Sequence, residues 1–486
     1  MINISRIGLR ISAVFQRIVP DPFVIAILLT LFTAVLALTL GRFELTEGGT
    51  RLTALLDAWR SSDGLWKFLA FGMQMCLVLV TGHALAEARP IRRIINALAR
   101  VPHSTASAAA LVATIACLAA ILNWGLGLIV GAILAREVGR SLESRGIAAH
   151  YPLICAAGYM GLLVWHGGFS GSAPLAMTSF EGAAKVIPAQ YLQNLDDAGV
   201  PLTETILSTR NIIVTGGLLV IAPCVLAILA PRRREEMTTI SAFAHDTSQS
   251  SDLQPEACGT HTFPDRLDTS AIVAWLLALG LLAAFLRYGY VVGNASAEAG
   301  MLRQTGATLR GFARLGLDEV NIFMIALGLI LHASPRSYMQ SISEGARGCG
   351  AIILQFPLYA GIMAMMVEAG LIERIAAWLN TIGNETTIPC LSFLSAGVVN
   401  LLVPSGGGQW GIQGPVALET GFAAGIEPGR MIMSVAYGDQ LTNMLQPFWA
   451  LPLLAITGVR ARDIVGYTAI VMVIAAVWIL LCLLLF

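Results

Sequence analysis

The stretch PSGGGQW at residues 404–410 interrupts a hydrophobic run with a proline, a hydroxyl group and three consecutive glycines. Polar and glycine-rich backbone is costly at membrane depth unless it lines a cavity or is covered by protein. No helix is expected through residues 404–408, because proline and glycine are poor helix formers. The stretch predicts an unwound segment within a membrane, where the backbone can approach a ligand closely.

Three other interruptions accompany this one. The first half of the chain carries NWGLG at residues 123–127 and WHGGFSGSAP at residues 165–174, and the second half also carries DQLTNMLQP at residues 439–447. Tyr159 precedes the later break of the first half, and Tyr437 precedes that of the second half. The Pro-Leu pairs at residues 174–175 and 452–453 are separated by the same number of positions as these two tyrosines. Paired interruptions in two halves of a hydrophobic chain are the pattern of a secondary transporter's binding site.

The composition is that of an integral membrane protein. Charged residues make up 12% of the chain and apolar residues 56%, and the mean hydropathy is +0.73. The net charge is zero, so no nucleic-acid partner is expected, and the cysteines show no metal-ligand spacing. Four runs are nearly free of charge and long enough to cross ~30 Å of hydrocarbon: residues 23–41, 211–230, 269–286 and 464–486.

Arginine positions predict the orientation in the membrane, because basic residues favour the cytoplasmic side. The N-terminal arginines place the N-terminus in the cytoplasm: Arg6, Arg10 and Arg17. Further arginines on both sides of residues 104–137 predict a re-entrant hairpin there, with both ends cytoplasmic. An odd number of crossings then separates the two halves, so the second repeat is expected to be inverted. One basic stretch would then lie outside, against this tendency: Arg303, Arg310 and Arg314.

These observations predict an all-α polytopic membrane protein with two inverted repeats, each with a re-entrant hairpin and a broken transmembrane helix. The first repeat is expected to span residues 1–230 and the second residues 320–486. Residues 231–268 are polar and lack periodicity, which predicts a flexible cytoplasmic linker. Residues 269–319 would form a linking transmembrane helix and an external loop.

Broken helices expose free N–H groups, and these suit an anion such as a carboxylate. No lysine or arginine falls in the four interruptions, which favours a monocarboxylate with a short apolar tail over a di- or tricarboxylate. Small residues here also pack helices together in many membrane proteins. The candidate substrate-binding residues are Asn123, Trp124, Gly125, Gly168, Ser170, Ser172, Ser405, Gly406, Gly407, Gln409, Thr442, Asn443 and Gln446.

Asp439 is the one acid in the interruptions, and an ionisable group at this depth is a functional hypothesis by default. It is a candidate to bind a proton or another cation that drives uptake, or to pair with a helix end. His166 is a second candidate for proton transfer. No cofactor or metal is expected.

Several long strings closely resemble the bacterial short-chain fatty acid transporter family, which includes acetoacetate/butyrate permeases. They occur in order between residues 20 and 456: PDPFVIAILLT, LAFGMQM, TGHALA, NWGLGLIVGAILAREV, GGFSGSAPL, VPSGGGQWGIQGP, AYGDQ and QPFWALPLLAI. The resemblance implies a bacterial inner-membrane importer of acetate, butyrate or acetoacetate-like anions. It also implies membership of the larger ion transporter superfamily, whose carriers are similar in being homodimers with a scaffold and a mobile, elevator-type transport domain.

The resemblance places the site at the same four interruptions. His166 departs from the family pattern, in which glycine is expected at this position of a WGGGFSGS-like string. The serine, asparagine and threonine motifs that bind sodium in distant members are not evident, which leaves proton and sodium coupling open.

Three rival interpretations of the sequence remain open. A carrier of other organic anions is the nearest, and a passive channel is a second. A membrane-embedded enzyme is the third, because GFSGS at residues 168–172 superficially resembles a nucleophile elbow, although the G-x-S-x-G order is not met. No other catalytic pattern is present, so the expectation is a transporter that is not an enzyme.

Overall fold

The structure is a computed structural model of the 486-residue chain. It describes residues 4–18, 20–43, 49–178, 199–243, 262–292, 317–371, 374 and 383–486. Within these ranges all regular elements are helices, which confirms the predicted all-α class.

The helices of the first half end with a long helix that follows the broken segment. They are α1 (Ile4–Ile18), α2 (Pro22–Leu40), α3 (Arg51–Arg60), α4 (Leu69–Glu87), α5 (Arg89–Arg100), α6 (Thr105–Leu122), α7 (Trp124–Ser144), α8 (Tyr151–Gly158), α9 (Ser172–Ala176) and α10 (Thr209–Leu229).

The remaining helices include the linking segment and the second half. They are α11 (Phe263–Asp268), α12 (Ala271–Val292), α13 (Leu317–His332), α14 (Pro335–Ala346), α15 (Gly350–Glu368), α16 (Ile388–Leu402), α17 (Gly406–Ala423), α18 (Pro428–Thr442), α19 (Pro447–Thr457) and α20 (Ala461–Leu485).

Six helical stretches of the described chain are long and apolar enough to cross a membrane, which confirms a multi-pass membrane protein. They are Pro22–Leu40, Thr105–Leu122, Thr209–Leu229, Ala271–Val292, Pro335–Glu368 and Ala461–Leu485. Large apolar side chains on these helices are exposed, as on α12, where Leu276, Leu277 and Leu279 point away from the protein. An apolar surface of this extent requires lipid around it.

Helices α6 and α7 form an antiparallel hairpin with its tip at Asn123. Gly127 lies against Ala120 and Gly131 against Ala116, so the two arms pack closely. Only Asn123 is extended: it ends α6, and its side-chain oxygen accepts hydrogen bonds from the first turn of α7. An asparagine in this N-cap position is favourable. The sequence predicted a break through residue 127, but the structure confines it to one residue because this cap starts the next helix immediately.

The second hairpin consists of α16 and α17. The expectation that no helix runs through the three glycines is wrong, because α17 begins at Gly406 and the break covers only residues 403–405. The Ser405 hydroxyl accepts a hydrogen bond from Gly408 N at 3.2 Å and caps the new helix. The glycines form its first turn, where the absence of side chains permits a close approach by other elements.

The two broken segments differ in where they unwind. The first leaves α-helix after Gly158 and passes through two 3₁₀ turns, Met160–Leu163 and Trp165–Gly167, before α9. The second stays helical through Asp439 and Thr442 and unwinds only at residues 443–446. The predicted break at residues 439–447 is therefore shorter, because a 3₁₀ turn replaces extended backbone and proline begins α19.

Two groups of helices pack against each other. One contains both hairpins, both broken segments, α1, α10 and α20, and most of the buried apolar core. The other contains α2–α4 and α12–α15. Contacts between the groups run mainly through α7 against α4 and through α19 against α15, with α5 packed on α7. The same order of elements occurs in both halves, whereas the inversion of the whole repeats stays a prediction.

Both described ends of the predicted linker contact neighbouring helices. Thr238 and Ile240 pack on the α7–α8 turn, where Tyr151 N donates to the Thr238 carbonyl at 2.8 Å. At the other end, hydrogen bonds from Thr262 and Arg336 lower the pKa of Asp265 to about 2. Residues 244–261 and the basic stretch at Arg303, Arg310 and Arg314 lie outside the described residues.

Candidate functional site

The four interruptions meet at one place in the protein. A Cβ atom on Gly406 would lie 2.9 Å from the Trp165 ring and 3.1 Å from the His166 ring, so the second hairpin tip touches the first broken segment. The Trp124 ring, at the first hairpin tip, lies 6.3 Å from that of Trp165 and 5.1 Å from that of Trp449, in the second broken segment. The aromatic rings join all four interruptions.

Hydrogen bonds from backbone N–H groups join the first hairpin tip to the first broken segment. Phe169 N donates to the Ile121 carbonyl at 2.7 Å, and Trp124 N donates to the Ser170 hydroxyl at 2.9 Å. A Cβ on Gly168 would lie 2.4 Å from the Ile121 carbonyl oxygen, so only glycine permits this approach. Ser170 accepts at its oxygen and keeps its own hydroxyl hydrogen to donate.

The two broken segments run antiparallel against each other. The Tyr159 hydroxyl donates to the Asn443 carbonyl at 2.9 Å, while His166 N donates to Gln440 Oε1 at 3.1 Å. Residues later in one segment thus contact residues earlier in the other.

Asn400 of α16 joins the second hairpin to the second break. Its side-chain amide donates to the Asp439 carbonyl at 2.7 Å, to the Thr442 hydroxyl at 3.0 Å and to Asn443 Oδ1 at 2.8 Å. Its own carbonyl accepts from the side-chain amide of Gln446. The backbone carbonyl of Asp439 fixes which way the Asn400 amide points, and Asn400 in turn orients Asn443.

Asn211 of α10 makes side-chain hydrogen bonds to the first break, as Asn400 does to the second. Its amide donates to the Gly167 carbonyl at 2.8 Å and to the Ile206 carbonyl at 2.7 Å. Its oxygen accepts from the hydroxyls of Thr215 and Tyr437. All its polar atoms are paired, so it supports the unwound backbone without being free to bind a ligand.

His166 and Asp439 form a fully buried pair. The side chains are 1% and 2% exposed, and His166 Nδ1 lies 3.2 Å from Asp439 Oδ1. Ala173 N donates to the other ring nitrogen, Nε2, at 3.1 Å. The imidazole is stacked on Trp165 with the ring centroids 4.2 Å apart.

Several buried polar atoms at this place have no hydrogen-bond partner among the described residues. The unpaired donors are Gln440 Nε2, Asn443 Nδ2 and the indole nitrogens of Trp165 and Trp410. The unpaired acceptors are Asp439 Oδ2, Asn400 Oδ1, Gln409 Oε1 and Gln446 Oε1. Unpaired buried polar groups are expensive, so a cluster of them is evidence for a polar ligand.

The sequence-predicted binding residues fall into two sets. Asn123, Trp124, Gly125, Gly168, Ser170, Ser172, Ser405, Gly406, Gly407 and Asn443 lie at the two tips and the two breaks. In three others the side-chain donors are already engaged. Gln409 donates to Ala396 and Gln413, Thr442 to Gly397, and Gln446 to Asn400, so these residues hold the hairpin and the break in shape.

The sequence interpretation missed three amide side chains of this site. Asn211, Asn400 and Gln440 are buried and hydrogen-bonded to the interruptions. The signal for Asn400 was present, since a lone amide inside an apolar run is costly without a partner, and Gln440 lies within the interruption at residues 439–447. No group of three or more His, Cys, Asp or Glu side chains that could hold a metal ion occurs in the described parts of the chain.

A family model for the short chain fatty acid transporter matches residues 3–486. A chain of Escherichia coli K12, provisionally named a short-chain fatty acid transporter, is 36% identical over 465 residues, 96% of each chain. A Haemophilus influenzae chain with the same provisional name is 33% identical over 476 residues, 97% of this chain and 98% of that one.

Two solved structures are similar over nearly the whole length. The YdaH transporter of Alcanivorax borkumensis has a TM-score of 0.44 at 18% identity, with 96% of this chain and 97% of that chain covered. MtrF of Neisseria gonorrhoeae has a TM-score of 0.34 at 15% identity, with coverage of 98% and 96%. At these scores the similarity supports no argument about topology or mechanism.

Proposed function

The chain belongs to the short chain fatty acid transporter family, and we propose on that basis that it carries small monocarboxylate anions across a bacterial inner membrane. Acetate, butyrate and acetoacetate are the expected substrates, and uptake into the cell is the expected direction. The observation that carries the proposal is the convergence of four interruptions around buried, unpaired N–H donors.

The polar part of the site supports an anion with one carboxylate. Gln440 Nε2 and Asn443 Nδ2 are unpaired donors on the same segment, and the Ser405 and Ser170 hydroxyls retain hydrogens to donate. The first-turn N–H groups of α17 add the positive end of a helix dipole. One carboxylate can be compensated by such neutral donors, whereas a second negative charge would need further compensation.

The apolar part of the site supports a short tail. The rings of Trp124, Trp165 and Trp449 pack edge to face around the meeting point, and the Phe448 ring packs against that of Trp449 with centroids 5.0 Å apart. Rings in this arrangement form a stable apolar wall. A chain of a few carbons can be desolvated against such a wall while its carboxylate meets the amides.

The two groups of helices support alternating access by relative movement. The group with the hairpins and broken segments would move as an elevator against α2–α4 and α12–α15, which would serve as the scaffold of a homodimer. Uptake would be coupled to a proton or sodium gradient, with the N-terminus in the cytoplasm.

Transport without chemical conversion is the function that the site supports. Ser170 is the first serine of the GFSGS string, and its hydroxyl accepts the Trp124 N–H. Among the described residues no hydrogen bond joins Ser170 to a histidine or a carboxylate, so the activated nucleophile of a hydrolase is not assembled there. Recovery of unaltered labelled substrate after uptake checks this point, and a Ser170-dependent product would contradict it.

We expect Ser405→Ala and Asn443→Asp to raise the KM for butyrate. Each change removes a donor, and loss of a hydrogen bond to a charged group costs roughly 1.5–3 kcal/mol, or about 10- to 100-fold in affinity. Asn443→Asp keeps the oxygen that accepts from Asn400, and its negative charge also repels the substrate carboxylate, so its effect on the KM is expected to be the larger of the two. The measurement is uptake of labelled butyrate into proteoliposomes, with the uptake by protein-free liposomes subtracted.

The matched control is Ser343→Ala, which removes an exposed hydroxyl on α14 that bonds only to its own helix. It is expected to leave the KM unchanged. An unchanged KM in both site variants, with uptake retained, would show that the carboxylate binds elsewhere.

A further inference from the structure

We infer that Asp439 carries one proton with each monocarboxylate anion, and that His166 remains neutral and holds the Asp439 carboxylate in position. The inference rests on the proposed function and specifies its coupling ion. It is drawn from the hydrogen bonds around this buried pair.

The backbone determines which ring nitrogen of His166 carries the proton. Ala173 N is a donor and lies 3.1 Å from Nε2, so Nε2 must accept and carries no hydrogen. The hydrogen of the neutral ring is therefore on Nδ1 and is donated to Asp439 Oδ1 at 3.2 Å. A second proton on the ring would have to sit on Nε2, facing the Ala173 N–H, and would break that bond.

An incoming proton is better accommodated on Asp439. Its second oxygen, Oδ2, is buried and has no hydrogen-bond partner among the described residues. A proton from water on one side of the membrane binds Oδ2 and gives a neutral carboxyl group. When the site opens to the other side, the O–H bond breaks and the proton returns to water, and no bond in the substrate changes.

The position of Asp439 couples this proton to the anion. Gln440 follows it directly and Asn443 lies about one helical turn further, so the proposed carboxylate donors are its neighbours. An ionised Asp439 repels a substrate carboxylate held there, and protonation removes the repulsion. Because such coupling is reciprocal, the bound anion also favours the protonated state. One proton then moves with one negative charge, and the transport is electroneutral.

Sodium fits this pair less well. A hard cation needs several oxygen ligands. Asp439 Oδ1 already accepts the hydrogen of His166 Nδ1, and the neighbouring Gln440 has an unpaired amide nitrogen because its oxygen accepts from the His166 backbone N–H. Other titratable or charged groups lie on α18 or on the helices packed against it. In the described chain none of them is hydrogen-bonded or ion-paired with the Asp439 carboxylate: Cys390, Glu419, Arg430, Tyr437, Arg462, Asp463, Tyr467 and Cys482.

The test compares two transport modes in proteoliposomes of the full chain. Net accumulation of labelled butyrate is measured under an imposed pH gradient in sodium-free buffer, and butyrate exchange is measured with equal pH on both sides. Protein-free liposomes give the passive diffusion of the neutral acid, which is subtracted. The wild type is expected to accumulate butyrate under the pH gradient and to generate no substrate-dependent current.

Three variants locate the proton carrier. Asp439→Asn mimics the protonated carboxyl, so it is expected to keep exchange and lose accumulation driven by the pH gradient. His166→Asn retains an N–H donor in place of the ring, so it is expected to keep gradient-driven accumulation, with a shifted pH profile. Asp439→Glu retains a carboxyl group and is expected to restore coupling. A monodisperse elution profile establishes that each variant is folded.

The outcomes separate this inference from the proposed function. Gradient-driven accumulation by Asp439→Asn, or accumulation by the wild type only under a sodium gradient, would overturn the inference and leave monocarboxylate transport intact. Loss of gradient dependence in His166→Asn with its retention in Asp439→Asn would assign the proton to the histidine instead. A wild type that neither exchanges nor accumulates any monocarboxylate would overturn both proposals.

Discussion

Gly438→Ala is expected to unfold the protein at a markedly lower temperature and to abolish uptake. A Cβ atom at this position would lie 2.1 Å from the Phe393 carbonyl oxygen and 2.7 Å from the Ala396 side chain. Both neighbours belong to α16, so the backbones of α16 and α18 would have to separate. Overpacking of a tight core costs roughly 1–3 kcal/mol and sometimes more. We expect a cost in the upper part of that range, because the nearest clash is with a backbone atom and not with a movable side chain.

The separation would also disturb the site itself. Gly438 immediately precedes Asp439, whose carbonyl accepts the Asn400 amide across the same helix pair. The measurement is thermal unfolding in detergent, followed with a thiol-reactive dye that reports exposure of buried cysteines such as Cys117 and Cys155.

Gly411→Ala provides the matched control. A Cβ at Gly411 would have no neighbour within 4 Å, although the residue is also inside a helix. Alanine there is expected to stabilise α17 by about 0.5–1 kcal/mol, because glycine is a poor helix former. If both substitutions shifted the unfolding temperature equally, the close approach of α16 and α18 would be excluded as the cause.

The sequence predicted the fold class and the place of the interruptions, because both depend on local chemistry. Hydrophobic runs of about 20 residues require helices across a membrane, and glycine, proline and amide groups marked where those helices stop. The paired order of the elements was also visible from Tyr159 and Tyr437. These signals are carried by residue type and spacing alone.

The lengths of three of the four interruptions were overestimated for a physical reason, whereas the first broken segment is longer than predicted and runs from Tyr159 to Gly171. Glycine and proline lower helix propensity by local effects, but capping and packing override them. Ser405 caps α17, so the three glycines after it are helical, and Asn123 limits the first break to itself. Helix propensities of single residues include neither the hydrogen bonds of a cap nor the close approach of a neighbouring element to the glycines.

The partners of the site residues could not be predicted, because they are distant in sequence. Asp439 and His166 were separate candidates, and only the fold brings them together across 273 positions. The same holds for Asn400 and Asn211, whose roles follow from the backbone carbonyls that they meet. Thr442 and Gln409 had suitable polar groups, but the structure uses their donors within the hairpin and the break.

The arrangement of these amides gives the second major prediction, that Asn400→Leu will lower both stability and affinity. Leucine has a similar size but donates no hydrogen bonds, so the Asp439 carbonyl, the Thr442 hydroxyl and Asn443 Oδ1 lose their shared donor. Each buried group left unsatisfied costs roughly 1–3 kcal/mol. Val398→Leu, on an exposed position of the same helix, is the control and is expected to change little.

The affinity effect follows from the orientation of Asn443. With Asn400 present, Asn443 Oδ1 is held as an acceptor and its Nδ2 is left to face the carboxylate. Without that partner the Asn443 amide is free to rotate, and part of the donor's contribution is lost to reorientation. Asn400→Leu should therefore raise the KM for butyrate at a temperature where the variant is still folded. A variant with lowered stability but a wild-type KM would show that Asn400 supports the fold and does not orient the binding amide.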